Sequence, residues 1–339
     1  MNNSMSRKVK RIINNNATVI GAIILVIIST FYVKGFASVY NLRVLISSIA
    51  PLAVASCGVT MPVLNGGTDF SASSMITMGS VLSAYLVVKT PLGDTVAGTY
   101  FAILLILLLG LCIGMFNGMA VVVLKMPSFI ATMAMQMILQ GSAVLFASIF
   151  YEKTSLNGLP RAFLALGGGS DFSLFTPLII TGVIVLFTQW LLTCTVFGRR
   201  VYAVGTNQKA AFVSGIKTKK MIFTLSAMSG LYAAIASILY TAKNEAGIPA
   251  LGDNLFINII ASIIIGGTSV NGGGGGVHKT LYGVLFITIM DNALNLKGVT
   301  WYVIVAIKGI LILSLVLFGS VSIPLPKLFR KPESPALKE

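Results

Sequence analysis

The segment FAILLILLLGLCIGMF, residues 101 to 116, carries no charge, and its flanks extend the apolar run over 98 to 124. A helix that crosses a bilayer needs about 20 predominantly apolar residues. Membrane strands would instead show short segments alternating with period two, and this run does not alternate. Nine further segments read the same way, so the candidate spans are 17–33, 44–64, 71–88, 98–124, 127–150, 174–195, 221–241, 254–270, 281–295 and 300–319. Polar residues interrupt the eighth and ninth. With 56% hydrophobic and 10% charged residues in 339, the chain lacks the polar surface a soluble globule of this size needs. The fold class expected is an all-α integral membrane protein. Its first apolar run is too long for a secretory signal and is read as a retained first span.

Basic residues set the orientation. With ten spans and the N-terminus inside, sixteen Lys and Arg fall on the inner side against seven outside, and Lys308 lies within the tenth span. Both termini are therefore expected in the cytoplasm, with tails at 1–16 and 320–339 around a membrane domain at 17–319. The net charge of +15 sits at membrane edges, which fits anionic lipid headgroups and argues against a nucleic-acid partner.

Catalytic chemistry finds no footing. The single histidine, His278, leaves no His-based acid/base pair, and Cys57, Cys112 and Cys194 have no metal or disulfide spacing. Catalytic residues, metal ligands and a bound cofactor are accordingly expected to be absent. NGGGGGVHKT (271–280) superficially resembles a phosphate-binding loop, but His278 stands where G-x-x-x-x-G-K-[ST] requires glycine. Gly272, Gly273, Gly274, Gly275 and Gly276 are read either as a hinge or tight turn near an inner gate or as a passive turn. GGTDFS (66–71) and GGTS (266–269) resemble each other over too short a stretch to establish a repeat.

The long cytoplasmic segment 197–220 is expected to hold a short amphipathic helix. Ala210, Ala211, Val213 and Ile216 recur at three- and four-residue spacing, and Gly215 is a C-terminal stop. Its apolar face needs a membrane surface or a protein groove as partner.

At this segment the chain resembles a known family. FGRRVYAVGTNQKAAFVSGIKTKK (197–220) is similar to the F-G-r-x-x-y-A-x-G-g-N-x-x-A-A-x-x-S-G-I stretch of permease subunits of bacterial ABC importers for ribose, arabinose, xylose and galactosides. GTDFSASSM (67–75), PSFIATMAMQMILQG (127–141), IIIGGTSVNGGGGG (263–276) and NALNLKGVTWYVIVAIKGILIL (292–313) follow in the family's order, so the resemblance covers about 44 to 318. It implies a type II ABC-importer-like permease fold of ten membrane helices in the bacterial inner membrane, paired with a second permease subunit as homo- or heterodimer. It also implies an ATPase subunit in the cytoplasm that holds ATP and Mg, and an extracytoplasmic binding protein that delivers a simple sugar. The ATPase-coupling helix falls at Asn207, Ala210, Ala211, Val213, Ser214 and Gly215.

A sugar path needs amides and hydroxyls, which marks Asn117, Gln136, Gln140, Asn258 and Asn292 within the spans; the alternative for each is a bond to a neighbouring helix. Asp69 matches the family's G-x-D and is read as a structural cap on the helix that starts near Ser71. Most acidic residues fall in loops, with Asp94, Glu152, Asp171, Glu245 and Asp253 outside. Asp291 and Lys308 either pair across the last two spans or reach for headgroups. The family's y-E-L-D-x-I-A is replaced by NLFINIIAS (254–262), with Phe256 and Asn258 at the acidic positions, and Asp291 stands where asparagine is frequent. These departures leave a nucleoside or a furanone-type signal molecule open as substrate and do not touch the permease role; an ion-coupled secondary transporter is a separate alternative, for which Asp291 and Lys308 are the ionisable groups within spans.

Overall fold

The computed structural model describes residues 18–168 and 174–320. Asp171 and both tail assignments lie outside them, apart from Ser320. The protein is mostly helical: α1 (Thr18–Tyr32), α2 (Val39–Leu64), α3 (Ser71–Val88), α4 (Val96–Val122), α5 (Ser128–Phe150), α6 (Arg161–Leu164), α7 (Phe175–Cys194), α8 (Val196–Thr206), α9 (Gln208–Val213), α10 (Thr218–Asn244), α11 (Leu255–Ile265), α12 (Val277–Leu296) and α13 (Trp301–Ser320). Among the described residues, α2, α3, α4, α5, α7 and α10 are long and apolar enough to cross a membrane. α12 has the length but carries His278, Lys279, Asp291, Asn292 and Asn295 near its ends.

α2 is the centre of the bundle. Every residue from Ala50 to Leu64 is buried, which matches a helix apolar on all sides. α10, α12, α7 and α11 pack around it. The closest helix pair is α4 with α10. GLCIGMFNG on α4 puts Gly110, Gly114 and Gly118 on one stripe; a Cβ at Gly110 or Gly114 would collide with the α10 backbone, and one at Gly118 would press tightly on Phe223. Gly230 returns the contact, since a Cβ there would meet the carbonyl of Gly110. Small residues four apart allow this approach, and dispersion rather than hydrophobic transfer then holds the pair together in lipid. Large apolar side chains on the outer faces of α4, α5 and α7, such as Leu104, Leu145 and Leu186, remain exposed for lipid.

The structure corrects several boundaries. The expected eighth span, 254–270, is only the eleven residues of α11. It stops because Gly267 adopts φ +87°, while Gly267 N donates to Ile264 O and Thr268 N to Ile263 O, closing the helix. At the end of α2 the left-handed glycine is Gly66 (φ +81°), the first of its pair. The two GGT stretches are therefore one residue out of register. The segment 197–220 holds two helices, because α8 precedes the expected one. Two loops pair as a short antiparallel ladder, β1 (Leu156–Asn157) with β2 (Ala246–Gly247).

Candidate functional site

After β2 the chain does not rise directly into a helix. It runs back along α3, where Ile248 N donates to Ser80 Oγ at 3.3 Å and Gly252 N to Thr77 Oγ1 at 2.8 Å. Only glycine fits at 252, because a Cβ would enter the Ser73 carbonyl and the Thr77 hydroxyl. These side chains replace the backbone partners a helix would have provided. α11 therefore begins inside the bundle, not at its end. Asp253, expected in an outer loop, lies halfway along α5, where Gln140 Nε2 donates to its carboxylate at 2.8 Å.

Asp253 and Asn254 are exposed, Gln136 and Gln140 are half-buried, and Phe256 stacks on Phe70 with ring centroids 4.6 Å apart. Non-helical backbone at membrane depth is tolerated where it is buried in protein or lines a water-filled cavity. An exposed carboxylate at that depth is costly against hydrocarbon. The open face between α5 and α11 is thus built for a polar environment.

Of the five amides marked in the sequence, the structure brings Gln136 and Gln140 to this face. The other three are engaged inside the bundle. Asn117 Nδ2 donates to Ser71 Oγ at 2.8 Å. Asn292 and Asn41 exchange amide bonds at 2.7 and 2.9 Å. Asn258 Oδ1 accepts from Lys308 Nζ at 2.6 Å. Phe70 and Asp253 are not among the residues the sequence marks for a path; the signal for Asp253 is the broken apolar run before α11, and Phe70 has none beyond its place in the turn before α3. Asp69 lies in the loop before α3, where its carboxylate accepts from the amide and hydroxyl of Ser71 at 3.0 and 2.7 Å. Burial pushes its carboxyl above the ordinary range, and these donors lower it only in part.

At the end of the bundle where α2 ends and α10 begins, α8 and α9 pack onto the core through Val201, Val204 and Ala211. Asn207 Oδ1 accepts from Ala210 N at 3.0 Å, and Gly215 (φ +83°) closes α9 with Ile216 N donating to Ala211 O. Ala211 turns inward at 5% exposure. Phe212 and Val213 turn outward at 68% and 85%. The glycine loop is tied to its neighbours: Gly273 N donates to Leu64 O at 2.9 Å, and Tyr202 OH to Gly275 O at 3.1 Å. A Cβ at Gly272 would press on Gly66 and Gly205. α2, α8 and the loop before α12 therefore meet backbone to backbone.

Residues 41–318 match the family described as branched-chain amino acid transport system / permease component. The chain belongs to this family. As a permease component it is a multi-pass membrane protein of a transport system. It is similar to the ribose import permease protein RbsC of Bacillus subtilis (strain 168), 33% identical over 301 residues that cover 88% of this chain and 90% of the relative. RbsC of Escherichia coli (strain K12) is 29% identical over 300 residues, covering 88% and 92%. The L-arabinose transport system permease protein AraH of Escherichia coli (strain K12) is 28% identical over 306 residues, covering 87% of each chain. No solved structure matches the chain.

In this permease the one buried ion pair among the described residues lies away from the open face. Lys308 of α13, 4% exposed, contacts the Asp291 carboxylate of α12 at 2.7 Å as well as Asn258 of α11. The pair ties three helices together, so neither reaches for headgroups.

Proposed function

We propose that this chain is the membrane subunit of an ATP-binding cassette importer and forms half of the path for a simple sugar. In this reading ten helices cross the bacterial inner membrane, both termini are cytoplasmic, and the membrane domain occupies 17–319 between tails 1–16 and 320–339. Two subunits, identical or not, place their α5–α11 faces together. The observation that carries the reading is the Gln140–Asp253 bond, an exposed polar pair halfway along α5. The pair belongs against a water-filled path and not against lipid. Amides, a carboxylate and the Phe70–Phe256 stack suit a hydroxyl-rich solute, in keeping with relatives named for ribose and L-arabinose.

The subunit itself is non-catalytic and carries no cofactor; ATP and Mg belong to a cytoplasmic ATPase partner. α9 is the coupling helix of the loop 197–220, with Phe212 and Val213 entering a groove of that ATPase. Movement of α8 passes to α2 and α12 through the contacts of Gly205, Leu64 and Gly273, which makes the glycine loop a hinge and not a slack turn. An extracytoplasmic binding protein docks at the opposite end, near β1 and β2. An ion-coupled mechanism has less support, because Asp291 is already matched by Lys308.

Affinity purification from the native membrane, with mass spectrometry and ATP-driven uptake of labelled ribose or L-arabinose in proteoliposomes, tests the proposal. A soluble ATPase is expected with the native chain and not with Val213→Asp. Gln140→Leu is expected to keep the ATPase and lose uptake. Solute accumulation on an ion gradient with no ATPase present would sink the reading.

A further inference from the structure

The Phe70–Phe256 stack occupies a definite level of the open face. Phe70 N donates to Thr132 Oγ1 at 3.1 Å, which places it about 12 Å nearer the start of α5 than the Gln140–Asp253 bond, at the helical rise per residue. Phe256 follows Asp253 on the first turn of α11, and that helix runs towards the glycine loop. Beyond the rings, a polar cavity of about 450 Å³ begins at Thr132, with Asn65, Thr68 and Ser128 among its walls. Asn65 Oδ1 and Thr68 Oγ1 have no hydrogen-bond partner in the protein, so the cavity suits water. Ser128, Thr132, Gln136 and Gln140 share one face of α5, being four residues apart. The two rings are therefore an apolar layer between two polar regions on one line.

The rings also belong to different packed groups. α3, which carries Phe70 at its start, packs on α5, α10 and α4; α11 packs on α12, α2 and α13 and meets α3 only sparsely. α11 and α12 lie backbone to backbone, since a Cβ at Gly283 would enter the Ser262 carbonyl and one at Gly266 the Lys279 carbonyl. The loop before α12 is bonded to Leu64 and to Tyr202 of α8. A shift of α8 therefore reaches α11 through α12, while Phe70 stays with α3, α4 and α5. At its other end α11 follows the turn that Ser80 and Thr77 pin to α3. It thus has one anchored end and one driven end, the arrangement of a hinge.

Stacked rings leave no room for water between them and give a passing solute no hydrogen bond in exchange for its own hydration. A transporter that accumulates solute needs such a seal at rest, or the gradient drains back. We propose that Phe70 and Phe256 are the barrier residues of the path, closed in this structure, and that they part when α11 swings with α12 away from α3. The assignment rests on reading the α5–α11 face as the path, and names the side chains that block it.

The test reads leak, which a merely destabilised protein would not produce selectively. The full chain is placed in proteoliposomes loaded with labelled D-ribose, and efflux is followed without ATP. Phe256→Ala and Phe70→Ala are each expected to raise efflux by about tenfold or more over the native chain. Phe70→Ala carries the test should Phe256→Ala not fold. Phe146→Ala removes an equal ring from the separate cluster with Tyr85 and Phe150, and should stay sealed. Labelling in intact cells separates the barrier from the path. With the exposed Cys112 and Cys194 replaced by alanine, an impermeant thiol reagent added outside should label Gln140→Cys, and should reach Ser128→Cys only when Phe256→Ala is also present. Label at Gln140→Cys with no added efflux in either ring variant overturns the barrier and leaves the path standing. No label at Gln140→Cys overturns both, and efflux raised equally by Phe146→Ala overturns the barrier.

Discussion

Lys308 and Asp291 form an ion pair at 2.7 Å between α13 and α12, and the lysine is almost fully enclosed. Two buried charges stabilise little as a pair, because desolvation offsets their attraction. Leaving one alone is far worse. Lys308→Met is therefore expected to cost about 3–5 kcal/mol of stability. The double variant Asp291→Leu with Lys308→Met should recover most of that loss. Thermal unfolding in detergent, followed by fluorescence size-exclusion chromatography, reads both; equal losses in the single and double variants would contradict the expectation.

Gly114 faces the carbonyl of Ser226 and the backbone of Ala227 on α10. Backbone on both sides cannot move aside as a side chain does. Gly114→Ala should lose at least the roughly 1–3 kcal/mol typical of overpacking, and Gly114→Leu should yield no monodisperse protein. Cys112→Ala on the exposed side of α4 is the control and should melt like the native chain.

Ala211 and Phe212 are neighbours with opposite fates. Ala211→Arg forces a cation into a packed contact and should lower the melting temperature. Phe212→Asp changes only an exposed side chain, so folding should stay within about 0.5 kcal/mol of native. If both variants melt alike, α9 is not seated as described.

Asp69 sets a pH dependence whose sign follows from burial. Its native carboxyl titrates above the ordinary 3.8, so between those two values the native state binds a proton that the unfolded chain releases. Stability from this group is present below the unfolded value and declines as pH rises through the native one. Asp69→Asn keeps an acceptor for Ser71 and removes the titration. The melting-temperature difference, Asp69→Asn minus native, should grow as pH rises through that window and level off above it. A difference that is flat with pH would refute the assignment.

Much of this architecture was legible in the residues. Apolar length marked α3, α4, α5 and α7 to within a few residues, because a helix satisfies its own backbone and its length is a property of one segment. The G-x-x-x-G-x-x-x-G stripe of α4 was equally present in the sequence. Asn207 and Gly215 bounded α9, since caps act within a single turn.

What only the tertiary structure decided is where each polar group finds its partner. Hydropathy averaged 254–270 into one span, yet α11 begins halfway across because Thr77 and Ser80 of α3 take the amides of the preceding turn. Asn117, Asn258 and Asn292 are indistinguishable from Gln140 by type and position in an apolar run. Their bonds to Ser71, Lys308 and Asn41 lie 46, 50 and 251 residues away in sequence. Local pattern determines which elements form, because it depends on neighbours along the chain. It cannot determine which polar side chain is left facing an open path, because that depends on which helices meet.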